Sequence, residues 1–504
     1  MNAATLLGSL TDRIAGCANS LRRAVLPAFM LLALAAPALA EGAAGAAEGE
    51  HHSMPSYFAA LPFVLILLCI AGLPLIHKTE HWWHQNKNKL LVSCVLGGIT
   101  LVYYGTVRMY HGADGGLASV WGVINHSIVL EFIPFIVLLL ALYTIAGGIE
   151  LRGDLKARPL TNTIFLGVGA ALASFVGTTG AAMLLIRPLL RTNQERRNVV
   201  HTVIFFIFAV CNCGGLLLPI GDPPLFLGYL RGVPFMWTMQ LWPEFLVVNG
   251  SLLLIYYVWD RIAYAKEDVK DLVRDETEVE PLSINGKFNF VLLLGVIFCV
   301  ALLDPNKKVP GTDFQPPMFM REGMQLVLAG LSYFVPAFTP KGLRKRVSFD
   351  FFAITEVACL FVGIFITMQV PLEILNNPQV VASLGVDTPL KFFWATGILS
   401  SFLDNAPTYV VFFETAKNVQ PVGELLDLEN NGGQICSAFL AAISCGAVFM
   451  GANTYIGNGP NFLVKAIAEQ SGVKMPSFFG YMKYSVAILI PLMGLVSLIF
   501  FMGA

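Results

Sequence analysis

Residues 218–227 read LPIGDPPLFL and sit inside an apolar segment, 199–230, long enough to cross a bilayer. Pro223 and Pro224 remove two backbone donors and break any helix running through them. A carboxylate at membrane depth is costly and marks a functional site, which singles out Asp222. The phrase returns at residues 456–463, IGNGPNFL. Ile220 matches Ile456, Gly221 matches Gly457, Pro224 matches Pro460, and Phe226-Leu227 matches Phe462-Leu463, with Asp222 set against Asn458. The separation of 236 residues is close to half of the 504-residue chain.

The composition around this pair is that of a membrane protein. Hydrophobic residues make up 56% of the chain and charged residues 13%, against roughly 25% charged in soluble domains. The basic residues fall in short loops between spans, which excludes a nucleic-acid-binding stripe. The nine cysteines read as small packing residues, since Cys211 and Cys213 have no second Cys/His pair to complete a metal site. His77, His81 and His84 follow helical spacing, but Trp82 and Trp83 beside them make this an interfacial aromatic belt. No cofactor is implied. Residues 1–40 have the form of a secretory signal: Arg22-Arg23, an apolar run and Ala38-Leu39-Ala40, with cleavage after Ala40; the alternative is an uncleaved first span. Residues 41–56, with His51 and His52, are then a flexible N-terminus on the outer side.

Apolar runs at 57–76, 90–107, 126–149, 239–259, 288–303, 324–338, 351–372 and 477–502 read as spans. The charged stretch 260–286 reads as a cytoplasmic loop. Basic loops lie on the cytoplasmic side. Arg152, Lys156 and Arg158 precede the stretch 163–190, and Arg191, Arg196 and Arg197 follow it, so it enters and leaves on one face. The stretch 388–416 does the same on the outer face. Both are expected to be re-entrant hairpins with polar tips at Gly177-Thr178-Thr179-Gly180 and Asp404-Asn405-Ala406-Pro407-Thr408. Legs of a dozen residues reach about 18 Å, past the middle of the bilayer without crossing it. The expected fold is an all-α polytopic membrane protein of about ten transmembrane helices plus two re-entrant hairpins. It forms two inverted-topology repeats, 57–259 with broken helix 199–230, and 287–504 with broken helix 435–468. Broken helices and inverted repeats belong together in secondary transporters.

On these motifs the chain resembles the ion transporter superfamily, and within it the sodium/proton antiporters of the NhaD kind and the related citrate transporters. The matching runs are Ser400-Ser401-Phe402-Leu403-Asp404-Asn405-Ala406-Pro407-Thr408, Gly214-Gly215 with Pro219-Ile220-Gly221-Asp222-Pro223-Pro224, and Gly451-Ala452-Asn453-Thr454-Tyr455-Ile456-Gly457-Asn458. The first tip departs from the antiporter pattern, reading Thr178-Thr179 in place of an Asp-Asn pair. The resemblance implies that each tip faces the broken helix of its own repeat. One half-site then holds Thr178 and Thr179 with Asn212, Gly214 and Asp222. The other holds Ser401, Asp404, Asn405 and Thr408 with Asn453, Thr454, Gly457 and Asn458, and takes sodium at Asp404, Asn405, Asn453 and Asn458. It also implies a homodimer in a bacterial inner membrane; the signal and the loop charges are what place both termini outside.

Hydroxyls, amides and freed carbonyls are hard oxygen ligands suited to sodium. Burial favours the protonated form of a carboxyl and a bound cation favours the ionised form, so one acid can exchange sodium for a proton. The bland alternative for Asp404 and Asp222 is helix capping. For Thr178 and Thr179 it is a bond to their own i−4 carbonyl. Glu131 and Glu356, each in the span before a hairpin, are candidate proton relays. Arg187 is expected to reach for the cytoplasmic interface; turned inward, it becomes a contact for an anionic substrate. The leading expectation is a sodium:proton antiporter and the alternative a cation-coupled carrier of citrate or a dicarboxylate. Neither HExxH nor GxSxG occurs, which argues against an enzyme within the membrane.

Overall fold

Within a bilayer every backbone N–H and C=O must find its partner inside the protein, so apolar runs become helices. The computed structural model describes residues 55–110, 116–270, 275, 281, 283–421, 423–430 and 432–503. The expected signal at 1–40, most of the 41–56 segment, His51 and His52, and most of 271–280 lie outside these residues.

In chain order the first helices are α1 (Leu61–Gly72), α2 (Asn86–Thr106) and α3 (Leu117–Ala146), which is π-helical over Asn125–Phe132. Then come α4 (Pro159–Val176), α5 (Thr178–Thr192), α6 (Val200–Ala209), α7 (Pro223–Leu230) and α8 (Trp242–Tyr264). After the charged segment follow α9 (Asn289–Leu302), α10 (Met320–Phe334) and the bent pair α11 (Phe352–Thr367) and α12 (Gln369–Leu375). The chain continues with α13 (Pro389–Phe402), α14 (Asn405–Lys417), α15 (Ser437–Met450), α16 (Gly459–Gln470) and α17 (Phe478–Val496). Two antiparallel ribbons join loops: β1 (Glu150–Arg152) pairs with β2 (Ser283–Asn285), and β3 (Leu425–Asp427) with β4 (Gln434–Cys436). Among the described residues six helices are long and apolar enough to cross a membrane, or seven if α11 and α12 form one span bent by 41°. The protein is a multi-pass, all-α membrane protein.

Three helices, α2, α8 and α10, carry charge beyond their apolar runs, for one reason. Charge enters them where it finds a partner. α2 begins at Asn86, four positions before 90, and brings in Lys89, which is paired with Glu356; α3 also begins early, at Leu117, but its added residues 117–125 carry no charge. α10 opens with Arg321 bonded to Glu322 at 2.8 Å. α8 continues through Asp260, which Arg196 holds at 2.5 Å and His201 at 2.8 Å. Asp260 is therefore helical and buried, and the charged loop starts later than 260.

α4 and α5 form a helical hairpin. They meet at Gly177, whose φ of +79° is one that favours glycine. At the base Asn162 and Asn193 exchange side-chain amide hydrogen bonds of 2.8 and 3.1 Å. The legs have 18 and 15 residues, longer than a dozen, and α4 is about 27 Å long. α13 and α14 form a second hairpin, with Phe392 and Phe412 edge to face across it at 6.4 Å.

The two Gly-Pro phrases are helix breaks of the same build. α6 ends at Ala209, a short 3₁₀ turn covers Cys213–Gly215, and α7 starts at Pro223. α15 ends at Met450, a 3₁₀ turn covers Gly451–Asn453, and α16 starts at Gly459. Asp222 and Asn458, the last residues before the second halves, have nearly equal φ/ψ, −142°/143° and −152°/141°. A Cβ on Gly221 would lie 2.2 Å from the Gly215 carbonyl, and one on Gly457 2.5 Å from the Gly451 carbonyl.

Candidate functional site

Asp222 is 1% exposed and accepts three side-chain hydrogen bonds. Thr178 Oγ1 donates at 2.8 Å from the first hairpin tip. Asn405 Nδ2 donates at 2.6 Å from the second tip, and Asn458 Nδ2 at 3.1 Å from the second helix break. A buried carboxylate is tolerated when its lone pairs are bonded, and these neutral donors bond both oxygens. Four helices begin around it: α7 directly after Asp222, α5 at Thr178, α14 at Asn405, and α16 directly after Asn458. Each N-terminus carries a partial positive charge that faces the carboxylate.

Behind the carboxylate the amides continue. Asn212 Oδ1 accepts from Asn458 at 3.2 Å, and Asn212 Nδ2 donates to Asn461 Oδ1 at 2.7 Å. Asn461 donates to the carbonyls of Gly451 and Thr454, both at 2.9 Å. Side-chain amides thus tie the two breaks together across the halves of the chain, while Asn461 holds freed carbonyls of its own break. Asn461 belongs to the site although its place in the repeated phrase is taken by Leu225 in the first copy. That mismatch, the one position of the repeated phrase where a polar residue stands against an apolar one, is the signal in the sequence.

The two half-sites implied by the resemblance are joined rather than separate. Thr178 does meet Asp222 of its own half, but Asn405 and Asn458 reach across to the same acid. A second polar cluster stays within the second half. Asn453 Nδ2 donates to Ser401 Oγ at 2.9 Å, and Thr454 Oγ1 to the Ser401 carbonyl at 2.5 Å. The Asn405 and Asn453 side-chain oxygens are both buried with no hydrogen-bond donor, so each is an acceptor available to a cation. Asp404 is half-buried and its carboxylate caps α14 through the Ala406 N–H at 3.0 Å. Thr408 bonds back to the Asp404 carbonyl at 3.0 Å. Thr179, half-buried, has no side-chain bond to the network.

The candidate relays stand apart from Asp222. Glu131 is buried and bonded to Arg231 at 2.6 Å. Glu356 is paired with Lys89, itself buried on α2. Arg187 does not simply reach for solvent: it is half-buried, and its Nη1 is shielded from solvent with no partner. Among the described residues no group of three or more His, Cys, Asp or Glu side chains is placed to hold a metal ion. What the central arrangement offers is one acid, amide and carbonyl oxygens, and helix ends, a set suited to a proton or a small hard cation.

No curated protein matches the chain. Residues 51–501 match the family model described as "Putative citrate transport", and this multi-pass membrane protein belongs to that family of transporters.

Proposed function

We propose that the protein is a secondary-active sodium:proton antiporter working by alternating access, with Asp222 as the exchanging acid at the interface of two inverted repeats. The observation that carries this reading is the Asp222 carboxylate, buried, bonded only by neutral groups, and held by residues from both halves of the chain. A lone buried charge is costly, so the site alternates between a proton and a sodium ion. Sodium would be met by Asp222 with the spare oxygens of Asn405 and Asn453 and the carbonyls of the two breaks. The matching build of the breaks supports the repeat, and the two hairpin tips support a site reached from opposite sides.

A second reading is cation-coupled uptake of citrate or a dicarboxylate. It is favoured by the family description and by the unpartnered, shielded guanidinium nitrogen of Arg187. Four helix N-termini at one point also suit an anion. Here, however, Asp222 already places a carboxylate at that point, and this is why antiport is preferred.

Purified protein in proteoliposomes decides between the two. An imposed sodium gradient should move protons with no organic anion present. Sodium-driven uptake of labelled citrate, with no proton flux in its absence, would replace antiport by the second reading.

A further inference from the structure

We propose that Arg231 is a positioning residue for the ion site, acting through two helices rather than by touching the ion. The inference rests on reading Asp222 as the exchanging acid. Asp222 directly precedes α7 and Arg231 directly follows it, nine positions on. Asn405 starts α14 and Glu414 lies nine positions on. At 1.5 Å per residue each separation is about 14 Å. The two helices run side by side in the same direction, because Asn405 meets Asp222 at one end while Arg231 meets Glu414 at the other. Between these ends they approach so closely that a Cβ on Gly228 would lie 2.4 Å from the Tyr409 hydroxyl.

The Arg231 guanidinium joins three elements at the far end. Its Nη2 donates to Glu131 on α3 at 2.6 Å, its Nε lies 3.6 Å from Glu414 on α14, and its own backbone closes α7. The Arg231 and Glu131 side chains are less than a tenth exposed and Glu414 is 14% exposed. The cluster lines a cavity of about 440 Å³ that also contains Arg321, Glu322 and Lys417. Buried ion pairs hold geometry, since breaking one strands a charge. One arginine therefore sets the height of both helices against α3, and with it the fit of the Asn405 amide on the Asp222 carboxylate.

The test pairs transport kinetics with amide hydrogen exchange on the full-length protein in detergent or liposomes. Arg231→Ala should raise the apparent KM for sodium about ten-fold with kcat within two-fold. It should also speed exchange over 223–230 and over 405–413 together while leaving 159–192 unchanged. Arg231→Lys should recover most of the KM. Glu131→Gln, which keeps volume, should behave as Arg231→Ala does and serves if that variant folds poorly. A wild-type KM in both variants overturns the proposal, as does a raised KM with exchange unchanged in either helix. If the wild-type protein shows no sodium-linked proton flux, antiport fails. The exchange arm then decides alone: joint loosening of the two helices supports positioning by Arg231, and its absence overturns it.

Discussion

Asp222 is bonded by side chains from three other elements, so its substitution separates chemistry from scaffold at one atom. Asp222→Asn keeps the shape but turns one acceptor into a donor that faces Thr178, Asn405 or Asn458. We expect sodium-linked flux to vanish and stability to fall by about 1–3 kcal/mol, the cost of a buried polar group left unsatisfied. Flux near the wild-type rate would remove Asp222 as the exchanging acid. Asp404→Asn should keep the cap on α14, since asparagine caps as well as aspartate. It should therefore leave the melting temperature unchanged. If Asp404 also titrates during transport, the variant loses turnover; wild-type turnover would mark it as a cap alone.

The helix breaks and the hairpins carry the next scale. Both breaks bring a glycine against the carbonyl of another glycine, Gly221 against Gly215 and Gly457 against Gly451. Gly221→Ala and Gly457→Ala force backbone to move, and each should destabilise by roughly 1–3 kcal/mol, as overpacking does. Thermal unfolding of the two variants should give similar losses; a loss in only one would mean that the breaks are not equivalent. A pH effect is expected at the foot of the first hairpin. Between β1 and α4 the Asp154 carboxyl is pushed up to about 6, first by burial and then by Glu195 and Asp275 beside it. A carboxyl that holds its proton more tightly when folded stabilises below the unfolded value of about 4, and the stability is lost as pH rises through 6. The melting temperature should fall over that window, and Asp154→Asn should flatten the fall.

For the molecule as a whole, much of the plan is legible in glycine and proline. Pro223, Pro224 and Pro460 mark where helices restart, and Gly177 marks the first tip, because backbone rules act locally. The crossing of the half-sites is not legible. Which tip reaches which break depends on how the halves pack, and a local motif carries no record of that. For the same reason α2, α8 and α10 overrun their apolar stretches: each keeps a charge whose partner lies on a distant segment or on the same turn. The inverted repeat is tested by cysteine labelling in a cysteine-free background. Gln194 and Gln420 are exposed, one just after each hairpin, and serve as the labelled positions. Cysteine at 420 should label from outside and at 194 from inside; labelling of both from one side rules out the inversion.

The bonded network around Asp222 contains a single acid, and this has an electrical consequence. In the proposed antiport one carboxylate would hold one proton or one sodium ion, so the loaded site would carry no net charge in either direction of travel. An exchange through Asp222 alone is one-for-one and electrically silent. A membrane potential is worth about 2.3 kcal/mol per charge per 100 mV, and it would neither drive nor oppose such a cycle. Clamping liposomes at different potentials with potassium and valinomycin should leave the rate unchanged, whereas a rate that follows the voltage would require a second titrating acid in each cycle.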